Sequence, residues 1–227
     1  MKIANPFKRL NRFELCLWLV SMLVIAVSSL FSSAQGLLAT ITSLLGVTAL
    51  IFIAKGMVTG QFFLIVFAIL YGIISIEAKY YGEAITYMGM SLPMAVLSAI
   101  SWIRHPHKDS GRVEIEKMTT AKTVGMIIVT VIVSVVFFFI LKMLSTASLT
   151  ISTISITTSF LAASLTFFRN PYYAVGYAVN DIVLICLWII ASIKDVSNLS
   201  MVFCFLMFLI NDIYGFYSWK KMQKEQD

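Results

Sequence analysis

The chain has 227 residues, 59% of them hydrophobic and 12% charged, with a formal net charge of +6 and a mean hydropathy of +0.91. That balance excludes an ordinary soluble domain and predicts an all-α integral membrane protein. In such a chain the positive charge belongs to cytoplasmic loops, and no nucleic-acid surface is expected.

Eight apolar segments follow one another: Phe13–Phe31, Gly36–Ala54, Gln61–Glu77, Glu83–Ile103, Thr123–Leu141, Ala147–Phe168, Tyr173–Ser192 and Asn198–Trp219. Each approaches the roughly 20 residues a helix needs to span the hydrocarbon core. The first follows Lys2, Lys8, Arg9 and Arg12. It reads as a retained helix rather than a signal peptide cleaved near Ser32-Ser33-Ala34, because its apolar run outlasts a signal core and further spans follow. With the N-terminus inside, Lys55, Arg104, Lys108, Arg112, Lys117, Lys122, Arg169, Lys220, Lys221 and Lys224 fall on the same side, and only Lys79, Lys142 and Lys194 on the other. Both termini are therefore expected in the cytoplasm, with the chain crossing the cell membrane an even number of times. The longest loop, Arg104–Lys122, holds His105-Pro106-His107 and reads as a solvated loop, since a metal site would need a third ligand nearby. Cys16, Cys186 and Cys204 all fall in apolar segments and read as small fillers, so no metal and no cofactor is expected. Pro93 predicts a kink in the fourth span.

The second to fourth spans resemble the sixth to eighth. Phe52-Ile53-Ala54-Lys55-Gly56 closes the second as Thr166-Phe167-Phe168-Arg169-Asn170 closes the sixth, and Trp102 ends the fourth as Trp219 ends the eighth. Nearly the same interval separates the members of each pair. Two three-helix units joined by one linking helix have the same orientation across the bilayer, which makes a parallel repeat (36–103 and 147–219). The linker is 123–141, an uncharged Val- and Phe-rich span, and 13–31 is an extra N-terminal helix.

The seventh and eighth spans each carry an Asn-Asp pair, Asn180-Asp181 and Asn211-Asp212. An ionised carboxylate in hydrocarbon costs several kcal/mol, which marks such residues as functional. Asp181 and Asp212 both lie roughly 11–13 Å from the cytoplasmic boundary at 1.5 Å per residue. They can converge on one volume, where they are protonated, bind water or balance a cationic solute. On the seventh helix Tyr173, Tyr177, Asn180, Leu184 and Trp188 share a stripe. On the eighth, Asn211, Tyr214 and Ser218 share one, and Asp212, Gly215 and Trp219 share its neighbour. The fourth offers Tyr87, Ser91, Met94 and Ser98, and the third Phe63, Phe67, Tyr71 and Ser75. Aromatic faces with a few amides and hydroxyls suit a planar, polar-edged organic ligand. The Ser/Thr-rich sixth helix is expected to bond mostly to its own carbonyls.

These residues resemble the PnuC-type vitamin transporters. The resemblance rests on Leu45-Gly46-Val47, Ala54-Lys55-Gly56, Tyr80-Tyr81-Gly82-Glu83 and Trp102 in the first repeat. In the second it rests on Asn180, Trp188, Asn211-Asp212-Ile213-Tyr214-Gly215 and Trp219. It implies a SWEET-like fold, a homotrimer, no enzymatic activity and facilitated diffusion of a nucleoside-like vitamin precursor, foremost nicotinamide riboside, which a cytoplasmic kinase then traps. The family's ligand motif of Trp, Trp three on and Asn four further falls on Tyr173, Gly176 and Asn180. Gly176 is thereby expected to remove an aromatic wall and enlarge the site. Asn180 and Asn211 would hydrogen-bond ribose or base, and Tyr173, Tyr177, Tyr71 or Trp188 would stack the ring. Tyr214 joins them on the stripe of Asn211, and Asp181 or Asp212 would pair with a pyridinium charge. The alternatives are a neutral nucleoside or deoxynucleoside, thiamine, proton coupling through the Asp residues, or a membrane scaffold in which those residues only bond neighbouring helices.

Overall fold

A computed structural model of the chain describes residues 6–30, 37–77, 81–146 and 148–227, apart from the side chains of Asp109, Lys194 and Ser197. The sequence features at Lys2, Ser32-Ser33-Ala34, Gly36, Lys79, Tyr80 and Ala147, and the side chain of Lys194, lie outside the described residues.

Among the described residues, 8 helices have the length and apolar composition of membrane spans. They are α1 (Arg12–Leu30), α2 (Leu37–Ala54), α3 (Val58–Glu77), α4 (Tyr81–Arg104), α5 (Thr120–Met143), α6 (Leu149–Phe167), α7 (Tyr173–Lys194) and α8 (Leu199–Gln226). The expected spans agree with these to within a few residues, except that α8 runs two turns beyond Trp219. Local chemistry sets several ends. Asn11 and Glu14 form a reciprocal cap at the start of α1, each side chain accepting the other's backbone N–H, at 2.9 and 2.7 Å. Inside α4, Pro93 has no N–H to give, and the preceding turn, Tyr87–Ser91, widens to a π-turn in which Leu92 donates to the carbonyl of Tyr87. The expected kink therefore takes the form of one extra residue in the helix, and it turns Tyr87 and Ser91 toward the bundle interior.

Six helices close into a ring in the order α2, α3, α4, α6, α7, α8, each touching the next, with α8 returning to α2. The first helix of each repeat meets the last helix of the other, so there are two equivalent seams, α2/α8 and α4/α6. The extra helix and the linker fill matching positions outside the ring. α1 lies against α2 and α8, and α5 packs on α6, with Leu141 joining Met90 of α4 and Ile156 and Phe160 of α6 in one apolar cluster that Val133 and Phe137 flank.

The repeat is clearest at the end of the bundle that carries the termini. α2 and α6 finish in the same left-handed cap, at Gly56 (φ 67) and Arg169 (φ 55). In the first, Gly56 N–H bonds Ile53 O at 2.8 Å and Met57 N–H bonds Phe52 O at 3.0 Å. In the second, Arg169 N–H bonds Thr166 O at 3.0 Å and Asn170 N–H bonds Leu165 O at 2.9 Å. Across the α2/α8 seam, Trp219 Nε1 donates to Ile53 O at 2.8 Å. Across α4/α6, Trp102 Nε1 donates to Thr166 O at 2.9 Å. The two indoles meet with ring centroids 5.4 Å apart and are 1% and 0% exposed, closing this end of the ring.

The loop after α4 is not the solvated segment expected from its charges. It pairs β1 (Pro106–His107) with β2 (Arg112–Val113) antiparallel, in register Pro106↔Val113, and lies across the bundle end as a strap. Val113, 1% exposed, donates its N–H to Gly56 O at 2.8 Å, and Glu116 donates to Arg169 O at 3.2 Å. The Arg169 guanidinium is held by Glu114 O at 3.1 Å, Ser101 Oγ at 2.6 Å and Glu116 Oε2 at 2.6 Å. Burial lowers its pKa, while the charges of Glu116 and Glu114 act to raise it. These bonds offset the roughly 1–2 kcal/mol that a left-handed non-glycine residue costs. Satisfying the strap's backbone on two helix caps explains why a short charged segment docks: its partners are far away in sequence.

Candidate functional site

The ring encloses a cavity of about 100 Å³ to which all six of its helices contribute side chains. Its polar groups come from five helices: Gln61 of α3, Tyr87, Ser91 and Ser98 of α4, Ser159 and Thr166 of α6, and Tyr173, Tyr177, Asn180 and Asp181 of α7. Asp212 of α8 completes the lining, and Phe67, Phe205, Phe208, Leu64 and Met94 supply apolar wall.

The two carboxyl groups at one depth do converge. Asp181 and Asp212, each 4% exposed, meet side chain to side chain across the α7/α8 contact. Asp181 Oδ2 has no hydrogen-bond partner. Beside them Asn180 is oriented by α6: its Oδ1 accepts from Ser155 Oγ at 2.9 Å and Thr158 Oγ1 at 3.0 Å, which leaves its NH₂ as the donor on offer. The other α6 hydroxyls largely back-bond as expected, for instance Thr153 to Leu149 O and Thr166 to Ala162 O. Among the described residues, no Lys, Arg or His lines this cavity. The site therefore presents negative and hydrogen-bonding groups inside an aromatic shell, with no cation of its own to balance them.

Gln61 was not foreseen as a site residue. It is 0% exposed, lines the cavity, and neither its Nε2 nor its Oε1 has a partner. A buried primary amide with both ends unbonded is costly unless something else completes it. The sequence signal is a lone amide at the head of an apolar run, which reads equally as the edge of a span.

Three expected site residues face elsewhere. Gly176 does not line the cavity: a Cβ there would stand 2.9 Å from Ala162 Cβ and 3.0 Å from Ala162 Cα. Glycine at this position allows close α6–α7 packing and adds no room for a ligand. Asn211 is turned toward α1, where its Nδ2 donates to Ser21 Oγ at 3.0 Å and to Met207 O at 2.7 Å. Tyr214 also faces α1, donating to Glu14 Oε1 at 2.5 Å beside the Lys55–Glu14 ion pair at 2.9 Å. On α8, one helical step separates Asp212, which faces inward, from Asn211, which faces out.

Tyr71 and Trp188 line a second, smaller cavity of about 80 Å³, which shares Tyr87, Ser91, Ser159, Leu184 and Phe205 with the central one. It adjoins in turn a vestibule of about 540 Å³ at the end of the bundle opposite the termini, sharing Glu83, Thr146, Ser152, Leu187 and Trp188. A stepped route thus leads from that end to the paired carboxyls and stops at Trp102 and Trp219.

A sequence model for a family described as nicotinamide mononucleotide transporter matches residues 36–221. A nicotinamide riboside transporter PnuC from Neisseria mucosa is 23% identical over 219 residues, covering 94% of this chain and 83% of that protein. One of the same name from Haemophilus influenzae is 22% identical over 209 residues, covering 91% and 89%. A crystal structure of the vitamin B3 transporter PnuC superposes with a TM-score of 0.80 over 96% of this chain and 94% of that one, at 23% identity. That likeness establishes the eight-helix fold with its parallel three-helix repeats.

Proposed function

Because the chain belongs to the nicotinamide mononucleotide transporter family, we propose that it carries nicotinamide riboside, the solute named for its relatives, across the cell membrane by facilitated diffusion. The observation that carries this reading is the Asp181–Asp212 contact in a cavity that no Lys, Arg or His lines among the described residues. A ribosylated pyridinium brings one fixed positive charge to it, and the carboxyls balance that charge without leaving water for an empty hydrocarbon site. Tyr177, Tyr173 and Tyr87 offer ring faces. Asn180 and Gln61 supply the donors and acceptor that a carboxamide and a ribose require.

Passage then needs only alternation of access. The solute enters through the vestibule, passes Trp188 and Tyr71, and settles at the carboxyl pair. It leaves when the Trp102 and Trp219 bonds to Thr166 O and Ile53 O give way. With the basic loops inside, that second end faces the cytoplasm. A reporter enzyme fused after Asp227 that is active only on the cytoplasmic side tests the orientation. Assembly as a homotrimer, which the family resemblance implies, is tested by mass measurement of the detergent-solubilised protein.

The rival reading, a neutral nucleoside, rested on the space expected at Gly176, and Gly176 faces Ala162. Uptake into proteoliposomes separates the two. Nicotinamide riboside should enter saturably, thymidine poorly, and Asp212→Asn should reduce the former. A proton ionophore should leave the equilibrium level unchanged. Preferred uptake of thymidine, or a level that collapses with the ionophore, would refute the reading of substrate or of mechanism respectively.

A further inference from the structure

Between the vestibule and the central cavity stands a carboxylate that the central site does not use. Glu83, three residues into α4, lines both the vestibule and the smaller cavity. Tyr71 donates its hydroxyl to Glu83 Oε2 at 2.9 Å, and the rings of Tyr71 and Tyr87 lie against each other with centroids 4.3 Å apart. Trp188 lines the same two cavities from α7, and Thr146 and Ser152 add hydroxyls. Among the described residues, no Lys, Arg or His lines either space. A carboxylate beside two tyrosines and a tryptophan is the chemistry that holds an organic cation whose charge is spread over a ring.

We propose that Glu83, with Tyr71, Tyr87 and Trp188, forms an outer binding station for the positively charged ring of the transported solute, distinct from the Asp181–Asp212 site. The inference rests on the cationic solute proposed above. Tyr87 joins the two stations. It lines the central cavity, with Asp181, as well as the smaller one, with Glu83. One helical turn, about 6 Å, separates Glu83 from Tyr87 along α4. A cation moving inward thus exchanges one carboxylate for the next over a short step, and a neutral solute of the same shape gains nothing at the first.

Glu83→Gln tests this, because glutamine keeps an oxygen to accept the Tyr71 hydroxyl and removes only the charge. In proteoliposomes of the full chain, the half-saturation concentration for nicotinamide riboside should rise about tenfold, a difference of about 1.4 kcal/mol. That for its reduced, uncharged dihydropyridine form should stay within about twofold. An equal shift for both solutes, or none for either, overturns the station while leaving the transport reading intact. Should the wild type carry neither riboside, the transport reading falls, and purified protein decides the station. Saturable quenching of tryptophan fluorescence by the 1-methylnicotinamide cation, lost in Glu83→Gln and in Trp188→Phe, supports it. Quenching that is unaffected by Glu83→Gln, or equalled by neutral nicotinamide, overturns it.

Discussion

Gln61 gives the sharpest test of the central site, because stability and function should move in opposite directions. Its side chain is wholly buried, with both amide atoms unpartnered, in a wall otherwise made of Leu64, Phe67 and Ala68. Leaving a buried polar group unpaired costs about 1–3 kcal/mol. Replacing Gln61 by Leu, of similar size, removes that cost without opening a large void. The empty protein should therefore gain about 2 kcal/mol. In a chain of this length that corresponds to a rise in melting temperature of about 4–8 °C in detergent. The same change removes a donor and an acceptor from the solute, and the half-saturation concentration for nicotinamide riboside should rise about 10- to 100-fold. Thermal unfolding followed by fluorescence, with and without solute, measures both. If Gln61→Leu lowers the melting temperature, or leaves uptake untouched, the amide is structural and its place in the binding site is wrong.

Gly176→Ala should act on packing alone. Crowding Ala162 costs about 1–3 kcal/mol, partly offset by the better helix propensity of alanine, so the melting temperature should fall by about 2–4 °C with half-saturation unchanged. An altered half-saturation at unchanged stability would return Gly176 to the ligand. Trp102→Phe and Trp219→Phe each lose one buried bond to a helix-end carbonyl, at 2.9 and 2.8 Å. Each should cost about 1–3 kcal/mol by thermal unfolding. The two losses should be closely similar, and a cost at one tryptophan only would contradict the equivalence of the two seams.

The membrane spans were legible because hydrocarbon imposes a length and a composition, and the repeat was legible from the tryptophans and basic residues at matching helix ends. The depth of Asp181 and Asp212 was legible too, since depth follows from counting along a helix. Azimuth was not. Successive residues on a helix point about 100° apart, so Asn211 and Asp212 look like one feature in sequence and serve two different interfaces. Tyr214 lies three residues from Asn211 and goes with it to α1, where Glu14 had given no sign of a buried partner. Gly176 and Tyr177 divide in the same way between helix packing and cavity. The family motif could not settle this, because an aligned position carries no direction once its side chain has changed. The strap was illegible for another reason. Its burial depends on Gly56 O, Arg169 O and the Gln226 side chain, which accepts from Ile115 N–H at 2.8 Å, and none of these is near it in sequence.

The two seams share a hydrogen-bond pattern but differ in their fastening. At α4/α6 a buried guanidinium ties Ser101, Glu114 and Glu116 together, and Ser101 Oγ donates to Phe167 O at 2.8 Å. At α2/α8 the cap glycine instead meets the thioether of Met222, whose methyl would stand 2.8 Å from a Cβ at Gly56. A flexible methionine yields where a hydrogen-bonded arginine does not. The amide of Val113 should therefore exchange its hydrogen for deuterium sooner than that of Glu116, because the strap stays with the α4/α6 seam and lets go of the end of α2. A pseudosymmetric bundle would then have a hinge side and a latch side, fixed by a left-handed cap that holds glycine in one repeat and arginine in the other.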